Sequence, residues 1–449
     1  GADAACADWL DPLPRGEAVQ ISCTMAPVEG LGPRHLHFAP TRLALGVGAA
    51  RNCPPDELWR LVEGVLAEAG ASPFAVHSVN TIDVKADEPA VLALAHRLGV
   101  PLRLFPASAL EAEAPRLANP SAVVMAEVGC HGVAEGAALL QAGPTGRLLV
   151  EKRKSANATA ALAIADAAPE ALAGRPRGRL SVVGIGPGQA AWRTPEVSRI
   201  LSEADELVGY GFYIDLLGPL AAGKPRADFD LGGEEARCRH ALERAAEGRN
   251  VALVCSGDAG IYAMASLVFE LLDRPPERGG VSLAARRVEV TVAPGITALQ
   301  AAAARAGAPI GHDFCAISLS DLLTPRADIL RRLRAAAEGD FVIAFYNPVS
   351  RRRRTLLAEA REILLEHRPP DTPVILARSL GRPDETVRTV DLGDLSVDDV
   401  DMMTLVLVGA ARTRRLELAE GTRVYTPRGY ERKLAGGEGA DPDGKGDAA

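Results

Sequence analysis

The chain has 449 residues, of which 47% are hydrophobic and 4% aromatic, and it contains 44 glycines. This length and composition predict two or three α/β domains with an ample apolar core. The formal net charge of −8 argues against nucleic acid or an anionic membrane surface as the main partner, and no apolar run approaches the length of a membrane span.

Cysteine usage predicts the compartment. The seven cysteines are dispersed and form no C-x-x-C pair. An odd, scattered set is typical of reduced thiols and not of a disulfide framework or a zinc site. Residues 1–30 lack the basic-then-apolar order of a signal peptide. We therefore expect a cytoplasmic protein without a bound metal.

Residues 41–165 alternate between strand and helix patterns, after a Pro- and Gly-rich segment, 1–40, that we expect to be irregular. LALGVG, FAVHSVNTID and PLRLFPA predict strands, and PPDELWRLVEGVLAEAG and EPAVLALAHRLG predict the helices between them. SAVVMAEVG, in a strand position, a helix around HGVAEGAALLQAG, and GRLLVEKRKS complete the alternation. The pattern predicts a compact three-layer α/β domain.

Polar residues of this domain cluster where its predicted strands end. They lie at 46–51, at Thr81, Asp83, Lys85, Asp87 and Glu88, at Gly129, Cys130 and His131, and at Lys152, Lys154, Ser155 and Asn157. Ligands of open α/β sheets bind at the carboxyl ends of strands. Ordinary loop polarity and helix capping explain the same pattern, so both interpretations stay open.

A Pro-, Gly- and Arg-rich stretch at 166–179 predicts a linker to a second domain over 180–433, and the tail at 434–449 has the composition of a disordered segment. The second domain repeats one device, a buried strand that ends in a glycine turn before a helix. LSVVGIGPG precedes a helix predicted for TPEVSRILSEADELVGY, with Thr194 as N-cap and Pro195 at its first position. NVALVCSGDAG, with a helix from Ile261 onward, and RVEVTVAPG, with a helix near Thr297, follow.

The residues of the first glycine turn argue against a dinucleotide fingerprint. The G-x-G-x-x-G pattern requires glycine at position 189, where the chain has Gln189, and Pro187 removes a backbone amide. A dehydrogenase with a degenerate turn stays open as an alternative. The chain has no P-loop and no Ser-His-Asp spacing, which argues against phosphoryl transfer and hydrolysis.

Two resemblances give these patterns a meaning. LALGVGAARNCPPDEL, NTIDVKADEPAVLALAHRLGVPL, EVGCHGVAEGAALL and LLVEKRKSANATAALA resemble the C-terminal domain of the cobalamin-biosynthesis protein CbiG, which also exists alone as CobE. GIGPG, SGDAGIY and APGITALQAAAARAGAP resemble the class III tetrapyrrole methyltransferases, and LVGYGFYIDLL, GHDFCAISLSDLLTP, FYNPVSRRRR, ARSLGRPDE and VYTPRGY resemble the precorrin-3B C17-methyltransferases among them. The expected fold is a CbiG-C-like α/β domain followed by a two-lobed tetrapyrrole methylase α/β fold.

The second resemblance implies methyl transfer from S-adenosylmethionine to C17 of precorrin-3B, with ring contraction to precorrin-4. It places the cofactor between the two lobes, usually in a homodimer. The implied cofactor contacts are Gly186, Pro187, Gly257, Asp258, Ile261, Thr297, Ala298, Tyr346, Asn347 and Arg378.

Ring contraction also requires proton transfer. The titratable or hydroxyl candidates are His312, Asp313, Ser320 and Asp321, although a loop-capping role is open for each. The substrate carries many carboxylates, which guanidinium groups bind well. The candidate substrate contacts are Arg351, Arg352, Arg353 and Arg382, with Arg354 and Arg388 as additions.

Partners and alternatives follow from the same resemblances. We expect precorrin-3B as the small-molecule partner, a homodimer formed through the methylase domain, and transient contact with other cobalamin-pathway enzymes. The CobE-like domain is expected to bind or hand over corrin intermediates. Two alternatives stay open for the chain: cobalt-factor III as the substrate, in the anaerobic route, and a non-catalytic carrier of corrinoid intermediates.

Overall fold

The computed structural model describes residues 19–30, 34–350 and 353–430. Internal contacts divide the chain into two compact units. One comprises the residues up to Leu180 together with Arg239–Val251 and Leu271–Val290, and the other comprises Ser181–Cys238, Ala252–Glu270 and the chain from Thr291 onward.

The first part of the chain alternates strands and helices. Its elements are β1 (Gln20–Cys23), β2 (His35–Phe38), β3 (Leu43–Ala49), α1 (Pro55–Glu68), β4 (Val76–Ile82), α2 (Pro89–Leu98), β5 (Leu102–Phe105), α3 (Ala107–Glu111), α4 (Ala122–Val128), α5 (Val133–Ala142), β6 (Arg147–Lys154) and β7 (Ala158–Ile164). Five strands form one sheet in the order β5-β4-β3-β7-β6. β3, β4 and β5 are parallel, whereas β7 is antiparallel to β3 and to β6.

Helices cover both faces of this sheet, as the predicted three-layer domain requires. Leu43 and Leu45 of β3 pack in a cluster with apolar residues of α1 and α2, while Ala44 packs against α5. This split follows from the two-residue period of a strand. A Cβ at Gly46 would overlap the carbonyl oxygen of Ala134 and lie 2.7 Å from the amide nitrogen of Ala138. The sequence L-A-L-G-V-G therefore lets α5 approach the sheet closely.

Two predictions in this region were wrong. SAVVMAEVG is α4 and not a strand, because Ser121 caps its start by accepting from the Val124 amide and Gly129 ends it at a φ of 80°. Part of the segment predicted as irregular, 1–40, forms a two-stranded parallel sheet of β1 and β2. The Ser22 hydroxyl hydrogen-bonds the rings of His35 and His37, which strengthens that pairing.

Residues 172–178, predicted to lie in the linker, form hydrogen bonds to β5 and to Arg287. We call this segment the strap. Leu104 of β5 and Arg175 exchange two backbone hydrogen bonds of 2.8 and 3.0 Å. The Arg103 guanidinium donates to the carbonyls of Leu172, Ala173 and Gly174. Arg177 donates from Nε to the Arg287 carbonyl at 2.9 Å. The strap therefore extends the first sheet at its β5 edge.

The second part of the chain supplies three further sheets. Its elements are β8 (Arg179–Gly184), α6 (Pro195–Glu203), β9 (Glu206–Tyr210), α7 (Gly211–Asp215), β10 (Arg226–Phe229), α8 (Glu234–Ala246), β11 (Asn250–Cys255), α9 (Met264–Asp273), β12 (Glu289–Ala293), α10 (Ala298–Ala306), β13 (Gly307–Ala308), β14 (Phe314–Ser318), α11 (Arg326–Glu338), β15 (Val342–Tyr346), α12 (Thr355–Leu365), β16 (Pro373–Arg378), β17 (Thr386–Asp391), β18 (Thr404–Val408), β19 (Arg414–Leu418) and β20 (Gly421–Tyr425). The sheet orders are β10-β9-β11-β8-β12, β14-β15-β18-β16-β17 and β13-β20-β19.

Helix starts in this part follow the sequence signals only in some cases. Thr194 caps α6 by accepting from the Val197 amide, as predicted, but the helix ends at Glu203 and the residues from Glu206 form β9. Helix α9 begins at Met264, not Ile261. Tyr262 has a φ of 51°, a left-handed conformation that delays the helix.

Within the described residues, no single helix is long and apolar enough to cross a membrane. The bent pair α4 and α5, with 83° between its halves, passes the length and composition test jointly. Most residues of α5 are buried in the first sheet's core.

Candidate active site

Three turns at the ends of β8, β11 and β12 meet at one place: 184–188, 256–260 and 294–297. Gly186 and Gly257 exchange two backbone hydrogen bonds of 2.9 and 3.1 Å, which join the first turn to the second. A Cβ at Gly184 would lie 2.6 Å from the Gly257 oxygen and 2.8 Å from the Gly295 nitrogen. Real Cβ atoms do not approach backbone so closely, so glycine permits this convergence.

Asp258 fixes the second turn against the third. Its Oδ1 accepts from the Gly260 amide at 2.8 Å, and its Oδ2 accepts from the Gly295 amide at 3.0 Å. Both carboxylate oxygens therefore hold backbone, and each retains a lone pair for a ligand. Asp258, which the resemblance implies as a cofactor contact, therefore also joins two of the turns.

The three turns form part of the wall of a cavity of about 210 Å³ in the second unit. Its lining consists of Pro187, Tyr213, Ser256, Gly257, Asp258, Ile261, Tyr262, Thr297, Ala298, Tyr346, Asn347, Ala377, Ser379, Leu380, Arg382, Met402, Met403, Thr404 and Leu405. Most of these residues lie at strand ends or in the turns that follow them, where backbone amides and carbonyls are exposed to a ligand.

Two tyrosines form one side of this cavity. The ring centroids of Tyr262 and Tyr346 are 5.1 Å apart. The Tyr346 hydroxyl accepts from the Leu299 amide at 3.1 Å and hydrogen-bonds Thr297 at the start of α10. Burial raises the pKa of Tyr346. The phenol is therefore neutral at ordinary pH and positions the third turn.

Backbone strain is concentrated at the same place. Tyr262, Asn347 and Ser379 line the cavity and have φ values of 51°, 50° and 52°. Non-glycine residues adopt this region rarely, and they often do so at functional sites. Asn347 is held by its Nδ2, which donates to the Ser318 hydroxyl at 3.0 Å.

Arg382 lies at the other side of the cavity. Its Nε donates to the Pro187 carbonyl at 3.2 Å, and its guanidinium carbon lies 5.0 Å from the centre of the Phe212 ring. Burial lowers the pKa of Arg382. No carboxylate among the described residues lies within ion-pair distance of it. Arg382 therefore presents to the cavity a positive charge that has no direct ion-pair partner among the described residues, although Asp384 interacts with it at longer range.

The other candidate arginines differ from Arg382. Arg378 is outside the lining and donates to Asp401 at 2.8 Å. Arg353 hydrogen-bonds the Ser320 hydroxyl and lies 3.8 Å from Asp321. Arg351 and Arg352 lie outside the described residues. Of the predicted cofactor contacts, all but Gly186 and Arg378 line the cavity, and Gly186 is bonded to Gly257.

The structure separates the four predicted catalytic residues. His312 and Asp313 precede β14, and the Asp313 carbonyl accepts from Val342 at the start of β15. The cavity residues Tyr346 and Asn347 lie at the opposite end of β15, roughly 13 Å away at the rise of a strand. This placement argues against a catalytic role for His312 and Asp313. Ser320 and Asp321 follow β14 at the cavity end, although neither lines the cavity.

Several lining residues were not singled out by the sequence analysis, notably Tyr213, Tyr262, Ser379 and Met403. Tyr213, Tyr262 and Ser379 lie in motifs quoted for the resemblance, GYGFYID, SGDAGIY and ARSLG, so these motifs marked the right segments without identifying the individual residues. Met403 and its neighbours carry no such signal. Within residues 19–30, 34–350 and 353–430, no group of three or more His, Cys, Asp or Glu side chains is arranged to hold a metal ion.

Comparison with known proteins identifies two families that the chain matches. Residues 179–396 match the family of tetrapyrrole (corrin/porphyrin) methylases, and residues 43–163 match the cobalamin synthesis G C-terminus. A Sinorhizobium sp protein named precorrin-3B C(17)-methyltransferase is 46% identical over 254 residues, which are 56% of this chain and 97% of that relative. A Salmonella typhimurium protein named probable cobalt-factor III C(17)-methyltransferase is 46% identical over 251 residues, 56% of this chain and 99% of that relative.

Among solved structures, the methyltransferase CobJ is 46% identical, with a TM-score of 0.51, and the match covers 56% of this chain and all 100% of that chain. Both resemblances predicted from the sequence motifs are confirmed, as is the α/β fold class. The identity persists across 97% and 99% of the length of the Sinorhizobium and Salmonella relatives, and the three glycine turns lie inside the region that matches the methylase family. The chain therefore belongs to the family of tetrapyrrole (corrin/porphyrin) methylases.

Proposed function

We propose that the chain is an S-adenosylmethionine-dependent C-methyltransferase that methylates precorrin-3B at C17, with ring contraction to precorrin-4, in cobalamin biosynthesis. The observation that supports this most strongly is the convergence of three glycine turns on a cavity lined by Arg382, whose guanidinium has no carboxylate partner among the described residues. The 46% identity to the Sinorhizobium relative supports the choice of substrate.

The cavity residues fit the proposed cofactor. Close approach at Gly184 and Gly295 holds the backbones of the three turns together beside the cavity. The Asp258 carboxylate, with lone pairs left over, suits ribose hydroxyls or the amino group of the methionine part. S-adenosylmethionine, when bound, supplies an activated methyl group on a sulfonium.

The chain's own residues then have modest tasks. They align the methyl donor with the macrocycle carbon and exclude water from the cavity. Arg382, which has no carboxylate partner among the described residues, binds a carboxylate of the substrate in this proposal. Stacking against Phe212 keeps its guanidinium oriented.

We propose Asp321 and Ser320 as the proton-transfer candidates for ring contraction. Both follow β14 at the end of the sheet where Tyr346 and Asn347 lie, and Arg353 holds them by contact with the Ser320 hydroxyl. If Asp321 transfers a proton, Asp321→Asn lowers kcat while the dissociation constant of the cofactor stays unchanged. Equal losses in both quantities would indicate a structural role for Asp321.

One observation favours a second candidate substrate, cobalt-factor III. The Salmonella relative is as similar to this chain as the Sinorhizobium relative, at 46% identity. Turnover assays with each substrate under anaerobic conditions separate the two candidates. A kcat/KM at least tenfold higher for cobalt-factor III would replace precorrin-3B as the substrate.

The remaining expectations are proposals of the same kind. The domain that matches the cobalamin synthesis G C-terminus binds or hands over corrin intermediates, the chain forms a homodimer, and the protein acts in the cytoplasm. Leu322 and Leu323, which are 78% and 93% exposed, offer apolar surface for a dimer contact. Light scattering after size-exclusion chromatography measures the mass, and a monomer at micromolar concentration would contradict the dimer.

Calorimetric titration of S-adenosylhomocysteine into the full chain tests the cofactor proposal. We expect saturable one-to-one binding that weakens at least tenfold in Asp258→Ala, because both turn-joining hydrogen bonds are lost. Asp258→Asn, which keeps one acceptor oxygen, should lie between. Asp371→Ala, at an exposed position, is the matched control. No binding by folded protein would overturn the methyltransferase proposal and favour the carrier.

A further inference from the structure

Several polar residues at the strand ends of the first domain are held by carboxylates of neighbouring helices. The Glu57 carboxylate accepts from Ser155 and from the backbone and side chain of Asn157. Glu111 accepts from His131. These pairs hold loops together, and they leave few groups for a ligand. One group of residues at the ends of β3 and β4 is different.

This group, the junction cluster, consists of Arg51, Lys85, Asp87, Glu88 and Arg287. Arg51 follows β3 and donates to Asp87 Oδ1 at 2.7 Å, and Arg287 Nε lies 3.8 Å from the same oxygen. β3 and β4 are parallel neighbours, so the residues after them meet at the carboxyl edge of the sheet. Arg287 comes from the methylase-matching part of the chain, whereas the other four come from the part that matches the cobalamin synthesis G C-terminus.

Three members of the junction cluster lack the hydrogen bonds that their chemistry requires. Among the described residues, neither the Lys85 ammonium nor the Arg287 guanidinium has an acceptor within hydrogen-bond distance, the Asp87 oxygen being 3.8 Å from Arg287. Glu88 is fully buried, and neither of its carboxylate oxygens has a donor in the described part of the chain. The Arg51 guanidinium, 3.8 Å from Glu88 Oε2, is the nearest ion-pair partner of that carboxylate.

The charges in the junction cluster favour an anion. Burial lowers the pKa of Lys85, and Arg51 and Arg287 lower it further, while Glu88 and Asp87 act in the opposite direction. Within the cluster, positive groups outnumber carboxylates, since Arg51, Lys85 and Arg287 face Asp87 and Glu88, and Arg177 adds a further positive charge that interacts with Asp87. This excess of positive charge favours binding of an anionic group such as a carboxylate.

We propose that the junction cluster is a binding site for one carboxylate of a tetrapyrrole polycarboxylate, made by residues from both family-matching parts of the chain. Lys85 and Arg287 bind the carboxylate directly. Arg51 is held in place by Asp87 and by the Val84 carbonyl, to which it donates at 2.8 Å. The identity of the ligand rests on the proposed function, but the site itself does not. It would let the first domain hold a substrate or product of the methylase by its carboxylate side chains.

Uroporphyrin III, a stable tetrapyrrole with carboxylate side chains, is the probe, titrated into the full chain by calorimetry at low salt. We expect two classes of site, one at the methylase cavity and one at the junction cluster. Lys85→Gln and Arg287→Gln should each weaken binding at the junction cluster roughly five- to tenfold, since each removes a charge-assisted hydrogen bond. Binding at the methylase cavity should stay unchanged in both variants. Arg382→Gln should weaken binding at the methylase cavity. Arg147→Gln, at an exposed position, is the matched control.

A variant that increases the affinity of the junction cluster for the probe excludes a merely structural effect. Asp87→Asn removes a competing negative charge yet keeps an acceptor for Arg51, so it should tighten binding at the junction cluster. Wild-type affinities in Lys85→Gln, Arg287→Gln and Asp87→Asn together would overturn the proposal. Equal affinity of the site for citrate would overturn the tetrapyrrole assignment. Failure of S-adenosylhomocysteine to bind would overturn the methyltransferase function while these opposite shifts, if observed, still support the site.

Discussion

Gly295 belongs to the third turn, where backbone from all three turns comes together. A Cβ at this position would overlap the Gly257 carbonyl oxygen and lie 2.6 Å from the Gly184 carbonyl carbon. The Asp258 carboxylate also depends on this turn, because it accepts from the Gly295 amide. A single methyl group at Gly295 therefore forces the turns apart.

Gly295→Ala should weaken S-adenosylhomocysteine binding by tenfold or more, since separated turns lose the cavity wall that they share. The expected loss of stability is about 1–3 kcal/mol, the usual cost of overpacking. Calorimetry and urea denaturation measure the two effects. Gly64→Ala, where an added Cβ meets nothing within 4 Å, is the control. Wild-type affinity in Gly295→Ala would mean that the turns do not hold the cofactor.

His77 in β4 is a second residue with a measurable consequence. Its side chain is 8% exposed, its Nε2 has no partner among the described residues, and burial lowers its pKa to about 4. Histidine in an unfolded chain titrates near pH 6.5. Below that pH the unfolded state takes up a proton that the folded state accepts only near pH 4. The stability that neutral His77 contributes is therefore present above pH 6.5 and is lost as the pH falls to 4.

We expect His77→Gln to remove up to about 3 kcal/mol of the stability difference between pH 7.5 and pH 4. Urea denaturation at several pH values gives the difference. His367→Gln, at an exposed position, should keep the wild-type pH dependence. A His77 ring that titrates near pH 6.5 by NMR would contradict the lowered pKa.

At the scale of elements, the layer formed by β3 and α5 depends on small residues along one face of the strand. Gly46→Ala places a Cβ 2.7 Å from the Ala138 nitrogen, so α5 has to move away from the sheet. We expect a destabilisation of about 2–3 kcal/mol. Gly64→Ala, in the exposed middle of α1, should instead stabilise by up to about 1 kcal/mol through helix propensity. Thermal denaturation of both variants checks the opposite signs; the same sign for both would contradict close packing at Gly46.

Sequence patterns predicted elements well where one local signal dominated. LALGVG alternates large and small residues, and Thr194 with Pro195 marks a helix start, so β3 and α6 follow directly. SAVVMAEVG is β-branched and apolar, but its flanking Ser121 and Gly129 are helix caps, which outweighed the strand propensity. Sequence-local signals could not show that Tyr262 adopts a positive φ, because tertiary packing holds it there.

The candidate site was predictable only in part for a similar reason. The glycine turns are continuous in sequence, so GIGPG and SGDAG identify them. Whether Arg382 or Arg378 faces the cavity depends on the turn that follows β16, where Ser379 and Gly381 have positive φ, and the sequence does not reveal that conformation. The distance of His312 from the cavity depends on the direction of β14 relative to β15, which are parallel. Residue type alone therefore selected some candidates that line the cavity and others that lie far from it.

At the scale of the whole chain, the strap connects the two family-matching parts by hydrogen bonds as well as by covalent linkage. Arg103 supports it by donating to three successive carbonyls. Arg103→Gln should loosen the strap and speed tryptic cleavage of the Arg177–Gly178 bond about tenfold, because local opening exposes this bond. Mass spectrometry of the fragments locates the cuts. Arg147→Gln is the control, and unchanged cleavage in Arg103→Gln would show that the strap does not depend on Arg103.

The strap also determines where the chain can be divided for separate expression. β5 is the outer strand of its sheet, and Arg175 covers part of its open edge. An N-terminal fragment that ended before residue 172 would expose the open edge of β5 and leave the Arg103 guanidinium without its three carbonyl acceptors. Exposed strand edges recruit other chains and cause aggregation. An N-terminal fragment that extends through residue 178 keeps the edge of β5 covered. The residue at which the chain is divided therefore determines, more than the length of the fragment, whether the fragment stays monomeric.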